Sequence, residues 1–218
     1  MKIKAVLFNF IGAIVKEKDS SLIINCLSRA FADHGFCFND QFFISKNEKD
    51  KLAIINDVSN QFKLPLSIAD SIYGSFKKNI KGNSENFSSF DDSLITVSHL
   101  SRRGILTGIV SELPREIFEI IFTHLGWTKR AFNYIGFYNE LGKRAEGSGV
   151  IFDMMSLFKI ESPREILSVS GMGDDIIDRR NTGCLTAVVL PGTEAKGDLI
   201  HQNPDFILRS LSDLRMMI

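Results

Sequence analysis

Apolar residues fall in short unbroken runs at Ala5–Phe8, Leu106–Val110, Ile166–Ser170 and Thr186–Leu190, with a shorter one at Tyr134–Phe137. Each is of strand length, and each is followed by a stretch with helical spacing. Runs that are continuous rather than alternating predict strands covered on both faces. Strands that alternate with helices predict a parallel sheet between two helical layers. The fold class read from the pattern is therefore α/β, with a Rossmann-like three-layer core.

The interval between the first and second strands has a different period. Ser20–His34 carries Leu22, Ile23, Cys26, Leu27, Ala30 and Phe31 on one helix face. Lys49–Phe62 repeats the pattern with Leu52, Ile55, Val58 and Phe62, and Leu66–Phe76 follows with Pro65 ahead of its first turn. Lys81–Ser89 is rich in turn formers and reads as a linker. Asp91–Arg103 is a further helix, stopped by Gly104. The expected organisation is a core of residues 1–16 and 83–218, with an all-helical cap over 17–82 inserted after the first strand. No internal repeat or low-complexity tract interrupts it.

Composition narrows the partners. The 218 residues hold 26 Lys+Arg against 26 Asp+Glu, a formal net charge of zero, so no long-range field draws nucleic acid or an anionic membrane. The basic pairs Lys77-Lys78 and Arg179-Arg180 read as solvated surface. Three cysteines, Cys26, Cys37 and Cys184, have no metal-type spacing and suit a reducing compartment. Cys26 and Cys184 lie in apolar surroundings and read as core thiols. No leader-like or membrane-spanning run is present, and the expected location is the cytoplasm.

The chemistry-bearing segments sit at strand ends. The first strand runs into Asn9-Phe-Ile11-Gly12-Ala13, a tight turn where an α/β sheet presents reactive groups. The second ends in Ser111-Glu112, ahead of a helical stretch. The segment before Val150–Phe158 holds Lys143, Arg144 and Ala145. Ile166–Ser170 leads into Gly171-Met-Gly-Asp174-Asp175-Ile-Ile-Asp178, and the tail carries Asn203-Pro-Asp-Phe and Ser210-Leu-Ser-Asp-Leu214. In this order the segments resemble the four motifs and terminus of the haloacid dehalogenase (HAD) superfamily, over nearly the whole chain. Lys49-Asp-Lys-Leu52, His124-Leu-Gly-Trp127 and Asn181-Thr-Gly-Cys184 resemble the phosphonatase-like branch.

The resemblance implies roles residue by residue. Asn9 stands at the nucleophile position, Ile11 at the acid–base position and Ala13 where the family has Thr. Ser111 would hold phosphoryl oxygens with the helix start behind it, and Gly12 and Glu112 flank the ligand. Lys143 or Arg144 would supply the basic residue, although a gap-free alignment puts Ala145 there. Two registers compete for the metal-binding carboxylates. Without gaps, Gly171 replaces the first and Asp175 is the second, which also aligns Asn181-Thr-Gly183. By letters alone, Asp174 and Asp178 form the pair. Lys49 is the nearest match to the cap lysine that forms a Schiff base in phosphonatase.

The resemblance brings an expected reaction and an expected ion. In the family an Asp attacks phosphorus, a second Asp moves the proton, and Mg²⁺ is held by carboxylates. Asn9 is a far weaker nucleophile, Ile11 moves no proton, and Gly171 removes a metal ligand. Loss of coupled groups costs catalysis nearly in full. The reading is thus a HAD-like protein that keeps a pocket for a small phosphate-like or anionic ligand, with Mg²⁺ weakly held or absent. The alternatives are a working hydrolase with a non-standard nucleophile, such as Asp174 or Asp178, and an interaction module presenting the Phe-rich insert (Phe36, Phe38, Phe42, Phe43).

Overall fold

The structure, a computed structural model, describes residues 2–39, 42–43, 50–140, 148–190 and 200–218. The chain divides into two compact units. One takes Met1–Lys16, Ser89–Ser111 and Thr128–Ile218; the other takes Glu17–Ser88 and Glu112–Trp127. The helical unit thus includes residues 83–88 and 112–127 in addition to the insert read from the sequence.

The first unit is α/β. Its sheet is built from β1 (Ala5–Asn9), β4 (Leu106–Ser111), β5 (Tyr134–Phe137), β6 (Ile166–Ser170), β7 (Leu185–Val189) and β8 (Phe206–Leu208). They lie side by side in the order β5-β4-β1-β6-β7-β8, and every neighbouring pair is parallel. β1, β6 and β7 are buried along their whole length, which is why they read as unbroken apolar runs. Helices α4 (Ser93–Arg102), α6 (Ser148–Phe158), α7 (Gly173–Asn181) and α8 (Leu214–Met217) belong to this unit. Ala5, Leu7, Val110, Val150, Ile151, Met154 and Ile166 form one core cluster. Each such fully buried aliphatic side chain contributes about 1.5–3 kcal/mol relative to exposure. On β5 the Tyr134 ring lies against Gly136, where an added Cβ would meet its ring within 2.8 Å. The Tyr134 hydroxyl donates to Asp153 at 2.9 Å.

The registers bring the carboxyl ends of the central strands to one edge. Phe8 is level with Ile109 and with Val169, and Asn9 with Val110. Asn9, Ser111 and Ser170 close their strands at that edge. Past Asn9, residues Phe10–Ile14 make a wide, kinked turn that leaves helical geometry at Ile11 (φ −86°, ψ 136°) and Gly12. Gly12 has φ +86° there, a left-handed conformation that costs a side-chain-bearing residue about 1 kcal/mol or more.

The second unit is helical: α1 (Leu22–Ala32), α2 (Lys51–Gln61), α3 (Leu66–Gly82) and α5 (Arg115–His124). α1 buries Ile23, Ile24, Cys26, Leu27, Ala30 and Phe31, and α3 buries Ala69, Ile72, Phe76 and Ile80. Asn79 on α3 donates to the Cys26 carbonyl at 3.2 Å. Asp50 caps α2 by accepting from the Leu52 N–H at 2.8 Å. Phe43 is buried, and its ring packs with those of Phe31, Phe38 and Phe42. The linker read at 81–89 is more ordered than its polar composition suggests. α3 runs on to Gly82, and Phe87–Ser89 form strand β3 of a two-stranded sheet with β2 (Val15–Glu17). Among the described residues no helix is long and apolar enough to cross a membrane.

Candidate functional site

The site is built where β1, β6 and α7 meet. Asn9 is 8% exposed, and its Nδ2 donates to Asp175 Oδ2. An ionised carboxylate only accepts, which fixes the orientation of the amide. The same Oδ2 accepts from Ser170 Oγ at 3.0 Å, and Oδ1 accepts from the Tyr138 hydroxyl at 2.8 Å. Ser170 Oγ in turn accepts from the Met172 N–H at 3.0 Å. Tyr138 accepts from Arg179 Nη2 at 2.6 Å, and that nitrogen is 4.0 Å from Asp175 Oδ1. One carboxylate therefore gathers an amide, two hydroxyls and a guanidinium.

Local sequence explains the convergence. β6 ends at Ser170 and α7 starts at Gly173, so Asp175 falls in the first turn of the helix. Arg179 follows four residues later, one turn along the same face. Tyr138 enters from the turn just past β5. Arg179 is 0% exposed, which corrects its reading as a solvated basic pair with Arg180; only Arg180 is exposed. Neighbouring helix residues point about 100° apart, so one member of a basic pair can be buried while the other is not. Burial opposes the charge on Arg179, but Tyr138 and Asp175 hold its pKa above the ordinary arginine value. Burial also raises the Tyr138 hydroxyl well above the ordinary tyrosine range, so it stays a neutral donor.

Three polar atoms of the cluster lack partners among the described residues. Asn9 Oδ1 is buried without a hydrogen bond, as are Arg179 Nε and Nη1. Ile11 is 5% exposed and Met172 6%, so both side chains at this end of the sheet are apolar and covered. Ser111 closes β4, buried and with a polar interaction of its own. Asp178 is exposed on α7. The Asp174 side chain, Lys143, Arg144, Ala145 and Lys49 lie outside the described residues. Among the described residues no group of three or more His, Cys, Asp or Glu could hold a metal ion.

The helical unit has a charged cluster of its own, which no motif announced. Lys51 is 0% exposed, and its ammonium lies 3.3 Å from Glu112. Its backbone N–H donates to the Glu112 carbonyl at 3.3 Å. Glu112, matched by resemblance to a ligand-flanking position, thus pairs with Lys51 within this unit. Glu17 accepts from the Ile23 N–H at 2.7 Å. Burial pushes its carboxyl up to about 8; the charge of Glu112 adds to the shift, while the Ile23 N–H and Lys51 oppose it. The available signal was Lys51 in the first turn after the Asp50 cap, a place where a buried cation is unusual.

With this geometry the relatives can be placed. No family model and no curated protein sequence matches the chain. Solved structures do. A predicted phosphoglycolate phosphatase from Haemophilus somnus 129PT superposes with a TM-score of 0.78 at 16% identity, over 100% of this chain and 98% of that one. A haloacid dehalogenase-like hydrolase from Streptococcus pneumoniae gives 0.69 at 17%, over 99% and 98%. A HAD-family hydrolase from Deinococcus radiodurans R1, with phosphate and sodium bound, gives 0.67 at 17%, over 99% and 94%. The chain has the HAD-like hydrolase fold along its full length.

Proposed function

We propose that this protein uses the HAD fold to bind a small anionic, phosphate-like ligand and does not carry out aspartyl-phosphate chemistry. The observation behind this reading is the hydrogen bond from Asn9 to Asp175. An amide at the nucleophile position has no carboxylate oxygen with which to attack phosphorus, and here its N–H is engaged by the neighbouring acid. Ile11, apolar and buried, has no proton to transfer. Ser111 at the end of β4 and the backbone of the Gly12 turn are the groups offered to an anion.

The residues present do not suit Mg²⁺. That ion wants near-octahedral oxygen ligands and at least one free carboxylate. Asp175 is the one described carboxylate in the cluster, and its oxygens already accept from Asn9, Ser170 and Tyr138. Arg179 supplies a positive charge 4.0 Å away. The proposed binding is accordingly independent of a divalent cation.

The test is an assay of the purified protein against generic phosphate esters with Mg²⁺, beside calorimetric titration with inorganic phosphate. The expected outcome is no turnover, with phosphate binding weakened by Ser111→Ala. Turnover that Ser111→Ala abolishes overturns the reading. Asn9→Asp alone is expected to stay inactive, since Ile11 still blocks proton transfer; recovered turnover in that variant would show the rest of the machinery intact.

A further inference from the structure

We infer that Arg179 is a built-in cation that stands in for the divalent metal: its guanidinium neutralises Asp175 and makes the site self-sufficient in charge. The inference rests on the reading above only in that Asn9 is taken as a hydrogen-bond donor rather than a metal ligand.

The geometry carries it in three steps. First, the balance of charge is local. One carboxylate, Asp175, faces one guanidinium across 4.0 Å, and the Tyr138 hydroxyl links them by accepting from Arg179 at 2.6 Å and donating to Asp175 at 2.8 Å. A dication added to this pair would meet a like charge in a poorly screened interior.

Second, the lone pairs are taken. A carboxylate offers about four acceptor positions. Three receive hydrogen bonds, from the Asn9 amide, the Ser170 hydroxyl and the Tyr138 hydroxyl. One acceptor position is left, so a metal held through both oxygens would have to displace donors that are themselves held by the fold.

Third, the way Arg179 is buried points to its charge as the property in use. The side chain is fully buried, yet among the described residues Nε and Nη1 have no hydrogen-bond partner. An arginine retained for hydrogen bonding would satisfy its planar fork. Among the described residues only Nη2 is engaged, and it is the nitrogen directed at Tyr138 and Asp175. The cation also sits one helical turn from the acid it serves, so helix α7 delivers both charges as one rigid piece.

The probe is Mn²⁺ alone, with free ion counted by its paramagnetic resonance signal. The full chain is compared with Arg179→Met, Arg179→Lys, Asp175→Asn and the double variant Asp175→Asn/Arg179→Met. Wild type and Arg179→Lys are expected to take up no Mn²⁺ that Asp175→Asn removes. Arg179→Met is expected to gain Mn²⁺ affinity by about tenfold or more as the net charge of the site falls, and the double variant to lose that gain. Thermal melts with Mg²⁺ or with a chelator should coincide for wild type and separate for Arg179→Met.

Binding of Mn²⁺ to wild type that disappears in Asp175→Asn overturns the inference, as does a folded Arg179→Met with no gain. If Arg179→Met does not fold, the wild-type and Arg179→Lys arms still decide, since uptake by either refutes a resident cation. Uptake without turnover would overturn this inference alone. Turnover of a phosphate ester would instead overturn the functional reading.

Discussion

In the α/β unit Asp175 has a donor on each oxygen and a guanidinium beside it. In the helical unit Glu17 receives one backbone N–H, and the ammonium of Lys51 is paired with Glu112. Both clusters hold ionisable side chains largely away from water, and in the second the Glu17 carboxyl is pushed up to about 8. Burial is the largest cause of that shift, and the one backbone donor and the Lys51 charge offset it only in part. A cluster with balanced charge can serve as a fixed floor for a site. One with surplus carboxylate stores a pH dependence instead.

Removing the cation from each cluster gives the largest expected contrast. Lys51→Met leaves the partly buried Glu112 and Glu17 without the fully buried ammonium beside them and is expected to cost about 3–5 kcal/mol. Arg179→Met leaves one carboxylate that still accepts three hydrogen bonds, and the expected cost is smaller, about 2 kcal/mol. Urea titrations followed by Trp127 fluorescence read the helical unit, because this sole tryptophan is buried there. Hydrogen exchange of the α7 amides reads the other. Equal costs in the two variants would remove the distinction between the clusters.

The next effect is on pH dependence. Glu17 titrates near 8 when folded and near 4.5 when unfolded. Between those values the folded chain holds a proton that the unfolded chain has released. Stability of the helical unit is therefore greatest at or below pH 4.5 from this group, and declines as pH rises toward 8. The slope is at most about 1.4 kcal/mol per pH unit. Glu17→Gln should flatten this slope and gain stability relative to wild type at pH 8. Urea midpoints measured by Trp127 fluorescence across pH 5–8 (about three units, spanning the shift) decide it; parallel curves for the two proteins would show that Glu17 carries no such proton.

The smallest effect is a control. Lys4 and Glu165 pair at 2.8 Å on the surface of the α/β unit. The contact lowers the Glu165 carboxyl and raises the Lys4 amine. Exposed pairs contribute little, so Lys4→Met should leave the urea midpoint unchanged within error. A clear shift would mean that the surface of this protein is as sensitive as its buried clusters.

What was legible in the sequence follows the same division. Buried parallel strands announce themselves as continuous apolar runs, so β1, β4, β6 and β7 could be read directly, and α1 showed its buried stripe; on α2 the spacing found Ile55 and Val58 but took in Phe62, which is exposed, and missed Ile54. β3 could not: Phe87-Ser-Ser offers a single apolar side chain inside a polar stretch. At the site, the motif frame located Asn9, Ile11, Ser111 and Asp175. It had no place for Tyr138 or Arg179, which join by geometry. The i, i+4 spacing from Asp175 to Arg179 was present in the sequence, but a dibasic pair reads first as surface. Lys51 was passed over beside Lys49 because a lysine in a polar first turn is ordinarily solvated.

The place of β1 in the sheet has a kinetic consequence. It precedes the other strands of its sheet in the chain, and it ends at the centre, between β4 and β6. Its partners begin about 100 and about 160 residues later in the chain. Such distant pairing carries a large loop-closure cost before any ladder forms. An apolar β1 emerging from the ribosome must therefore wait, unpaired, until about a hundred further residues have followed. In the interval it is the segment most exposed to wrong association.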